Sequence, residues 1–248
     1  MQLHPILSLP MFEAGDDLAE HIARGVLEAG LELSAGDLLV VAQKIVSKSE
    51  GRQVALAAVN PSERACSLAT ETGKDPRLIE LILRESVEVL RCRPDLIIVE
   101  HRLGFVHANA GIDQSNIAGA DHALLLPENP NESARRLRAD LNALTGVEPF
   151  VLINDSCGRA WRNGITGMTL GCAGFAPLMS RVGEHDLFGR ELMVTEVAVA
   201  DELAAAASHL MGQGAEAVPV VLVRGAKLEP SDQDASTLIR ERHLDLFR

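Results

Sequence analysis

Two aspartates stand alone among neutral hydrogen-bonding residues, each beside an apolar run. Asp113 lies in NAGIDQSNI, residues 109–117, and Asp155 follows the run PFVLIN at residues 149–154. A short carboxylate among amides and hydroxyls offers the hard oxygen atoms that Mg²⁺ and Mn²⁺ prefer while they also contact substrate phosphate. Asp also ends strands and caps turns, which is the better explanation for either segment alone. The two segments together indicate a metal–phosphate centre.

A lysine-bearing stretch, VVAQKIVSKSEG at residues 40–51, supplies cations where an apolar strand ends. Lys44 and Lys48 can oppose phosphate charge there, although a lysine after a strand is more often only solvated. The segment MGQGAEAVPV, residues 211–220, is a glycine-bearing turn whose backbone amides can approach phosphate or simply end a helix. The sequence has no P-loop motif and no Gly-x-Gly-x-x-Gly fingerprint, so nucleotide use is not explained by either.

Five other side chains carry weaker signals. Cys157 has no histidine base beside it in the sequence, which favours inert packing over a role as nucleophile. Arg159 and Arg162 either face an anionic substrate or form ordinary surface pairs. His101 and His107 are six positions apart across an expected turn. That spacing is poor for metal ligands, so we assign both histidines a structural role.

Alternating helices and strands must position these groups. Apolar spacing, acidic starts and closing glycines predict the following helices: 15–30, two pieces in 61–93 split by GKDP, 132–146 and 201–211. Apolar runs predict the following strands: one from residue 37, two in 96–113 around the Arg102–Gly104 turn, 149–155, 192–200 and 219–225. A glycine-rich stretch, 158–174, separates two of them. On this pattern Asp113 lies just beyond a strand and Asp155 lies at a strand end.

Composition limits the partners of the chain. With 248 residues and 47% hydrophobic content, it can bury the core of one large domain or of two joined domains. A net charge of −12, one Trp and no Tyr argue against nucleic acid, although local cations can still bind a small anion. We find neither an export signal nor a membrane segment, and four dispersed cysteines without a Cys-x-x-Cys pair fit the cytoplasm.

Six segments, taken together and in order, resemble the coenzyme F420-0:L-glutamate ligase family, the coenzyme F420 gamma-glutamyl ligases. They are LPMFEAGDDLAEHI, DLLVVAQKIVSKSEGR, HRLGFVHANAGIDQSN, INDSCGRAWRNG, LFGRELMVTEVAVADELAAAA and LMGQGAEAVPVVLVRG. The resemblance runs from about residue 6 to residue 225 and implies an α+β fold of mixed sheets with packed helices. The ligase domain would occupy 1–225 as two intimately joined subdomains, followed by a loosely attached polar tail at 226–248.

The resemblance also implies an activity. Members join L-glutamate to the phospholactyl carboxylate of coenzyme F420-0 through an acyl phosphate, and further gamma-glutamyl additions can follow. They use GTP as co-substrate, Mg²⁺ or Mn²⁺ at two positions in each site, and K⁺, and they form homodimers. The residues leave two alternatives open: a metal-dependent phosphohydrolase and a catalytically silent nucleotide-binding scaffold.

Site residues follow from the matching motifs. The resemblance places nucleotide contacts at Leu9, Pro10, Met11, Phe12, Gln43, Lys44, Lys48, Asn116, Met211, Gly212, Gln213, Gly214, Ala215, Glu216, Ala217 and Val218. It assigns catalysis to Asp113, Asp155 and Lys48. Asp113 and Asp155 would bind one divalent ion, and Ser156 with Gln213 a second. The chain departs from the family at Asn154–Cys157, where Thr-Asp-Thr is commoner, and at Gln213, where some relatives have Glu. These departures bear chiefly on the second ion.

Overall fold

A computed structural model of the chain describes residues 1–117, 119 and 121–246. The helices are α1 (Leu18–Glu28), α2 (Gln43–Ser49), α3 (Glu63–Thr72), α4 (Pro76–Arg84), α5 (Pro130–Thr145) and α6 (Val199–Met211). The strands are β1 (Gln2–Ile6), β2 (Leu38–Ala42), β3 (Gln53–Ala55), β4 (Ser86–Arg93), β5 (Leu96–His101), β6 (Val106–Ala108), β7 (His122–Leu124), β8 (Phe150–Arg159), β9 (Arg162–Ala173), β10 (Met179–Ser180), β11 (Glu196–Val197) and β12 (Val220–Arg224). Helices mixed with several separate sheets confirm the α+β class.

A five-stranded sheet in the order β1–β12–β2–β8–β9 positions the site. β12 runs antiparallel to both of its neighbours, whereas β2 and β8 run parallel, with Leu38 opposite Phe150 and Ala42 opposite Asn154. The apolar runs of β2, β8 and β12 are buried, as expected for strands covered on both faces. Because parallel strands point the same way, the residues that leave β2 lie beside the polar residues of β8.

Helices cover both faces of this sheet. α1, α2 and α5 pack on one face around a core that contains Ile22, Leu141 and Val151, and α6 packs on the other around Leu152 and Ala204. Local signals define the helix ends. The N-cap carboxylate of α1 accepts the N–H three residues on, and α5 begins with Asn-Pro and ends at a left-handed glycine. The helices predicted over 15–30, 132–146 and 201–211 are therefore confirmed.

A separate hydrophobic core lies within residues 54–125. α3 and α4 pack there with the antiparallel sheet β4–β5–β6 and the pair β3–β7. The split at GKDP is confirmed, because Gly73 ends α3 in the left-handed region and Asp75 caps α4. The second helical piece is nevertheless too long as predicted. It ends at Arg84, and residues 86–93 form β4 because their β-branched alternation pairs with β5.

The β8–β9 hairpin differs from the expected strand and glycine-rich loop. β8 continues past Asp155 to Arg159, and residues 162–173 of the glycine-rich stretch form its partner β9. Two glycines allow helices to approach β9 closely. A Cβ on Gly167 would lie 2.3 Å from the carbonyl oxygen of Ala204, and one on Gly171 would meet the backbone of Pro130. Asp155 therefore lies inside a strand, and the strand expected over 192–200 is reduced to β11.

The segment after residue 225 is attached more firmly than the sequence indicated. Ala235 is buried in the core beneath α6, and the guanidinium of Arg242 lies 2.7 Å from a carboxylate oxygen of Glu88. Loose attachment is thus wrong for residues 226–246, while 247 and 248 lie outside the described residues. The division at residue 225 stays a prediction. Within the described part of the chain, no helix combines the length and apolarity needed to cross a membrane.

Replacement of Gly167 by alanine should destabilise the fold. The added methyl group would overlap the α6 backbone, so we expect the free energy of unfolding in urea to fall by about 1–3 kcal/mol. Gly158→Ala is the matched control, since it lies on the same hairpin and a Cβ there has no described heavy atom within 4 Å. Equal losses in the two variants would contradict the close approach of α6 to β9.

Candidate active site

A cavity of about 390 Å³ lies where the chain leaves β2 and passes the polar part of β8. The predicted residues that line it are Leu9, Pro10, Met11, Phe12, Gln43, Lys44, Lys48, Asn116, Asp155, Ser156, Met211, Gly212, Gln213, Gly214, Ala215, Ala217 and Val218. Asp113 and Glu216 are the predicted residues outside this lining. Five separate parts of the sequence thus meet at one cavity.

Lys44 connects Asp113 to the cavity. Its ammonium Nζ lies 2.6 Å from Oδ2 of Asp113 and donates to the hydroxyl of Ser115 at 3.0 Å. The backbone N–H of Ser115 donates to the other carboxylate oxygen at 2.7 Å. Burial alone would raise the pKa of Asp113, but the hydrogen bonds from Lys44 and Ser115 lower it below its usual range. Asp113 is therefore an ionised group held one side chain behind the cavity wall.

Lys48 holds the same wall one helical turn further along α2. Its Nζ donates to the carbonyl of Asn116 at 2.9 Å, and the Asn116 amide donates to the carbonyl of Gly214 at 3.3 Å. Asn116 has a φ of 56°, a left-handed conformation that asparagine adopts more readily than most residues. Burial and the nearby Lys44 lower the pKa of Lys48. Two cations thus tie the 113–116 segment to α2.

Asp155 is paired with His107, a residue that we assigned only a structural role. Nε2 of His107 lies 3.3 Å from Oδ2 of Asp155, and Nδ1 lies 2.8 Å from the carbonyl oxygen of Ala108. Nε2 has no hydrogen-bond partner, so its approach to Asp155 is a contact between charges in this conformation. Because both ring nitrogens face oxygen acceptors, only the imidazolium satisfies them. Burial opposes that charge, yet Asp155 and Cys157 raise the pKa of His107 to about 11.

The contact with His107 removes the reason we gave for treating Cys157 as inert, which was the lack of a neighbouring histidine. The sequence places no histidine next to this thiol, but the fold brings His107 against it. The thiol is buried and donates to the carbonyl of Gly158 at 2.9 Å. No spacing signal could have revealed this cluster, because strand β6 brings the histidine from a distant part of the chain.

The loop from 212 to 218 already holds an anion of its own. The backbone N–H of Gly214 donates to the Glu216 carboxylate at 2.7 Å, and amides of this loop, that of Glu216 first, lower the pKa of Glu216. Gly212 has a φ of 72°, a backbone conformation that favours glycine, and a Cβ there would also displace the Glu216 carboxyl group. The loop amides are thus oriented to bind negatively charged oxygen atoms.

The oxygen donors of the site fit a divalent cation that is shared with a ligand. Asp155 and Ser156, which carry oxygen donors, line the cavity, and the buried Oδ1 of the neighbouring Asn154 has no hydrogen-bond partner. The described residues contain no group of three His, Cys, Asp or Glu side chains that could hold a metal. Mg²⁺ commonly binds through one or two carboxylates together with waters and substrate phosphate, which these donors match. They do not match a metal site built from protein ligands alone.

The fold and the cavity define an α+β protein with a composite site of lysines, carboxylates and loop amides. The model of the F420-0:Gamma-glutamyl ligase family matches residues 6–225, so the chain belongs to that family. This finding confirms the resemblance seen in the sequence. The roles of individual residues stay predictions, although the fold brings nearly all of them together.

Similar proteins extend over almost the whole chain. The Coenzyme F420:L-glutamate ligase of Methanothermobacter thermautotrophicus is 47% identical over 97% of this chain and 96% of its own length. Those of Methanopyrus kandleri and Archaeoglobus fulgidus are 44% and 42% identical, with 100% of this chain covered in each comparison and 98% and 96% of their own lengths. The similarity therefore includes the segments after residue 225.

The pairing of His107 with Asp155 predicts an unusual protonation state. In the metal-free protein we expect both ring nitrogens of His107 to be protonated at pH 8, since the pKa is raised to about 11. Nitrogen-15 NMR of the imidazole measures this directly. The raised pKa also makes stability depend on pH. Protonated His107 stabilises the folded protein fully below its unfolded-state pKa of about 6.5, and this stabilisation is lost as the pH rises through the folded-state pKa.

Asp155→Asn provides the comparison for this measurement. It removes the negative charge with little change in volume, so the pKa of His107 should fall. A neutral His107 at pH 8 with Asp155 in place would show that the ion pair does not form.

Proposed function

We propose that this chain is a GTP-dependent ligase that joins L-glutamate to the phospholactyl carboxylate of coenzyme F420-0, with further gamma-glutamyl additions possible. Family membership and relatives named Coenzyme F420:L-glutamate ligase support the ligation. The observation that carries the nucleotide part is the convergence of four predicted nucleotide segments on one cavity. These segments supply cations, amides and apolar walls, as a nucleotide requires.

The proposed chemistry activates a carboxylate that is otherwise unreactive toward an amine. One carboxylate oxygen of the acceptor attacks the terminal phosphorus of GTP, the bond to the bridging oxygen breaks, and GDP leaves. The glutamate amine then attacks the acyl carbon and loses a proton while inorganic phosphate leaves with the C–O bonding pair. Lys44, Lys48 and the amides of the 212–218 loop would bind phosphate oxygens and align the attack. No nucleophile from the protein is required.

The proposal includes Mg²⁺ or Mn²⁺ and K⁺. Asp155 and Asp113 would hold one divalent ion and Ser156 with Gln213 a second, in each case together with nucleotide oxygens. A bound divalent ion would neutralise negative charge on the phosphates. The amide nitrogen of Gln213 donates to the hydroxyl of Ser208 at 3.1 Å, which directs its oxygen elsewhere and leaves it available as a neutral ligand. Nothing in the donor set singles out a K⁺ position.

We further propose a cytoplasmic homodimer. Leu187 and Phe188, in the loop between β10 and β11, are 100% and 87% exposed. Met193 and Val194 of the same loop are also exposed. Apolar side chains clustered on a protruding turn favour burial against a second protein surface. A second copy is the partner that the family resemblance implies.

Replacement of Asp113 or Asp155 by asparagine tests the metal proposal. Each change removes one anionic oxygen ligand, so we expect Mn²⁺ affinity in the presence of GTP to fall roughly tenfold to a hundredfold, with ligation falling in parallel. Electron paramagnetic resonance of free Mn²⁺ measures the binding, and circular dichroism checks the fold. Asp140→Asn on the exposed face of α5 is the charge-matched control. Wild-type Mn²⁺ affinity in both variants would remove the metal assignment.

Oxygen labelling separates the ligase from the two alternatives. With heavy oxygen in the terminal carboxylate of coenzyme F420-0, the acyl-phosphate route transfers one labelled atom to the released inorganic phosphate. We expect mass spectrometry to find that phosphate together with the amide product. Unlabelled phosphate beside amide product would exclude the acyl phosphate. Phosphate without amide would favour the phosphohydrolase, and GTP binding without turnover the silent scaffold.

A further inference from the structure

A second and larger cavity lies between the two parts of the molecule. It measures about 1140 Å³ and is bounded by the β4–β5–β6 sheet on one side and the β8–β9 hairpin on the other. Residues 235–245 of the C-terminal segment close it. Neither part alone forms this space. Its size is sufficient for a ligand larger than most small substrates.

The charge of this cavity is opposite to that of the chain. The arginines in its lining are Arg91, Arg93, Arg159, Arg162, Arg240 and Arg242, and the carboxylates are Glu88, Asp201 and Asp245. The lining therefore carries three more arginines than carboxylates, whereas the whole chain has a net charge of −12. A local excess of cations on an acidic protein attracts an anionic ligand at short range. The composition of the chain does not account for such a cluster.

Two of these arginines are available to a ligand. Arg242 is paired with Glu88 and Glu100, and Arg240 is engaged as well. Arg159 and Arg91 donate to backbone carbonyls. Arg93 and Arg162, by contrast, have no carboxylate partner within the described part of the chain, and both are exposed. Guanidinium groups bind phosphate and carboxylate oxygens through two parallel hydrogen bonds. These two arginines are the groups best placed to bind an anion.

Strand β8 joins the large cavity to the nucleotide cavity. Asp155 and Ser156 line the smaller cavity, and the next residues along the strand, Cys157 and Gly158, line the larger. His107 also lines the larger cavity while it contacts Asp155 of the smaller one. A carboxylate at this end of the large cavity would therefore lie beside Asp155 and Ser156, where the metal and the terminal phosphate are proposed to bind.

The remaining walls are largely apolar. They include Leu96, Ile98, Phe105 and Met168, which come from both sides of the cavity. Apolar walls with a few cationic groups suit a planar ring system that carries anionic substituents. A simple inorganic anion or a free amino acid would leave most of this surface without contact.

We propose that the large cavity binds the acceptor of the ligation, a planar aromatic molecule with a phosphodiester and a terminal carboxylate. Arg93 and Arg162 bind its anionic groups, and the reacting carboxylate lies at the His107 end. This assignment rests on the proposed function for the identity of the acceptor. It adds the place of binding and the residues that recognise the charge.

Arginine variants and coenzyme F420-0 as the probe test this assignment. We expect Arg93→Gln and Arg162→Gln each to raise the KM for coenzyme F420-0 roughly tenfold, because each removes a charge-assisted pair of hydrogen bonds. The KM for GTP should stay within about twofold of wild type, since neither residue lines the nucleotide cavity. Arg162→Lys, which keeps the charge, should retain more affinity than Arg162→Gln.

Arg136→Gln is the matched control, because Arg136 is an exposed arginine on α5 outside both cavities. It should change neither constant. Binding of coenzyme F420-0, measured without nucleotide or glutamate, tests the cavity apart from catalysis. Weaker binding in Arg93→Gln and Arg162→Gln supports the assignment, and unchanged binding in both overturns it. If wild type binds the acceptor but forms no amide, the proposed function fails while the cavity assignment stands.

Discussion

The parallel pairing of β2 with β8 is the contact on which the site depends. Ala42 lies opposite Asn154, so α2, which starts directly after β2, begins beside the polar residues of β8. Among the described strands this is the parallel pair, and it brings two polar segments together at one edge of a buried sheet. A shift of one residue in this register would place a different residue of β8 beside the start of α2, because the register sets which residues of the two strands lie opposite each other.

Charge pairing explains why these polar groups tolerate their partial burial. Asp113 faces Lys44, and Asp155 faces His107, so each carboxylate has a cation within contact distance. A partly buried charge without such a partner would lose hydration with nothing to replace it. A ligand that binds to Asp113 or Asp155 must therefore replace these ion pairs.

The part of the chain with its own core, residues 54–125, contributes to the site from outside the main sheet. It supplies His107 from β6 and the 113–116 segment that the two lysines of α2 hold. It also forms one side of the large cavity, opposite the β8–β9 hairpin. The smaller cavity and the large cavity therefore depend on how this part packs against β8. The C-terminal segment contacts this part through the ion pairs of Arg242 with Glu88 and Glu100.

The sequence by itself determined the helices with clear caps, the apolar strands, the family and nearly all of the residues that line the smaller cavity. These features are encoded locally, by periodicity, by cap residues or by contiguous motifs. Only the tertiary structure decided the length of β8, the strand β4 and the partner of Asp155. The glycine-rich stretch forms β9 because its glycines allow α5 and α6 to approach closely. Strand β6 brings His107 to Asp155 from a distant segment. Pairing between remote strands leaves no local pattern, since the residues that meet share no fixed spacing in the chain.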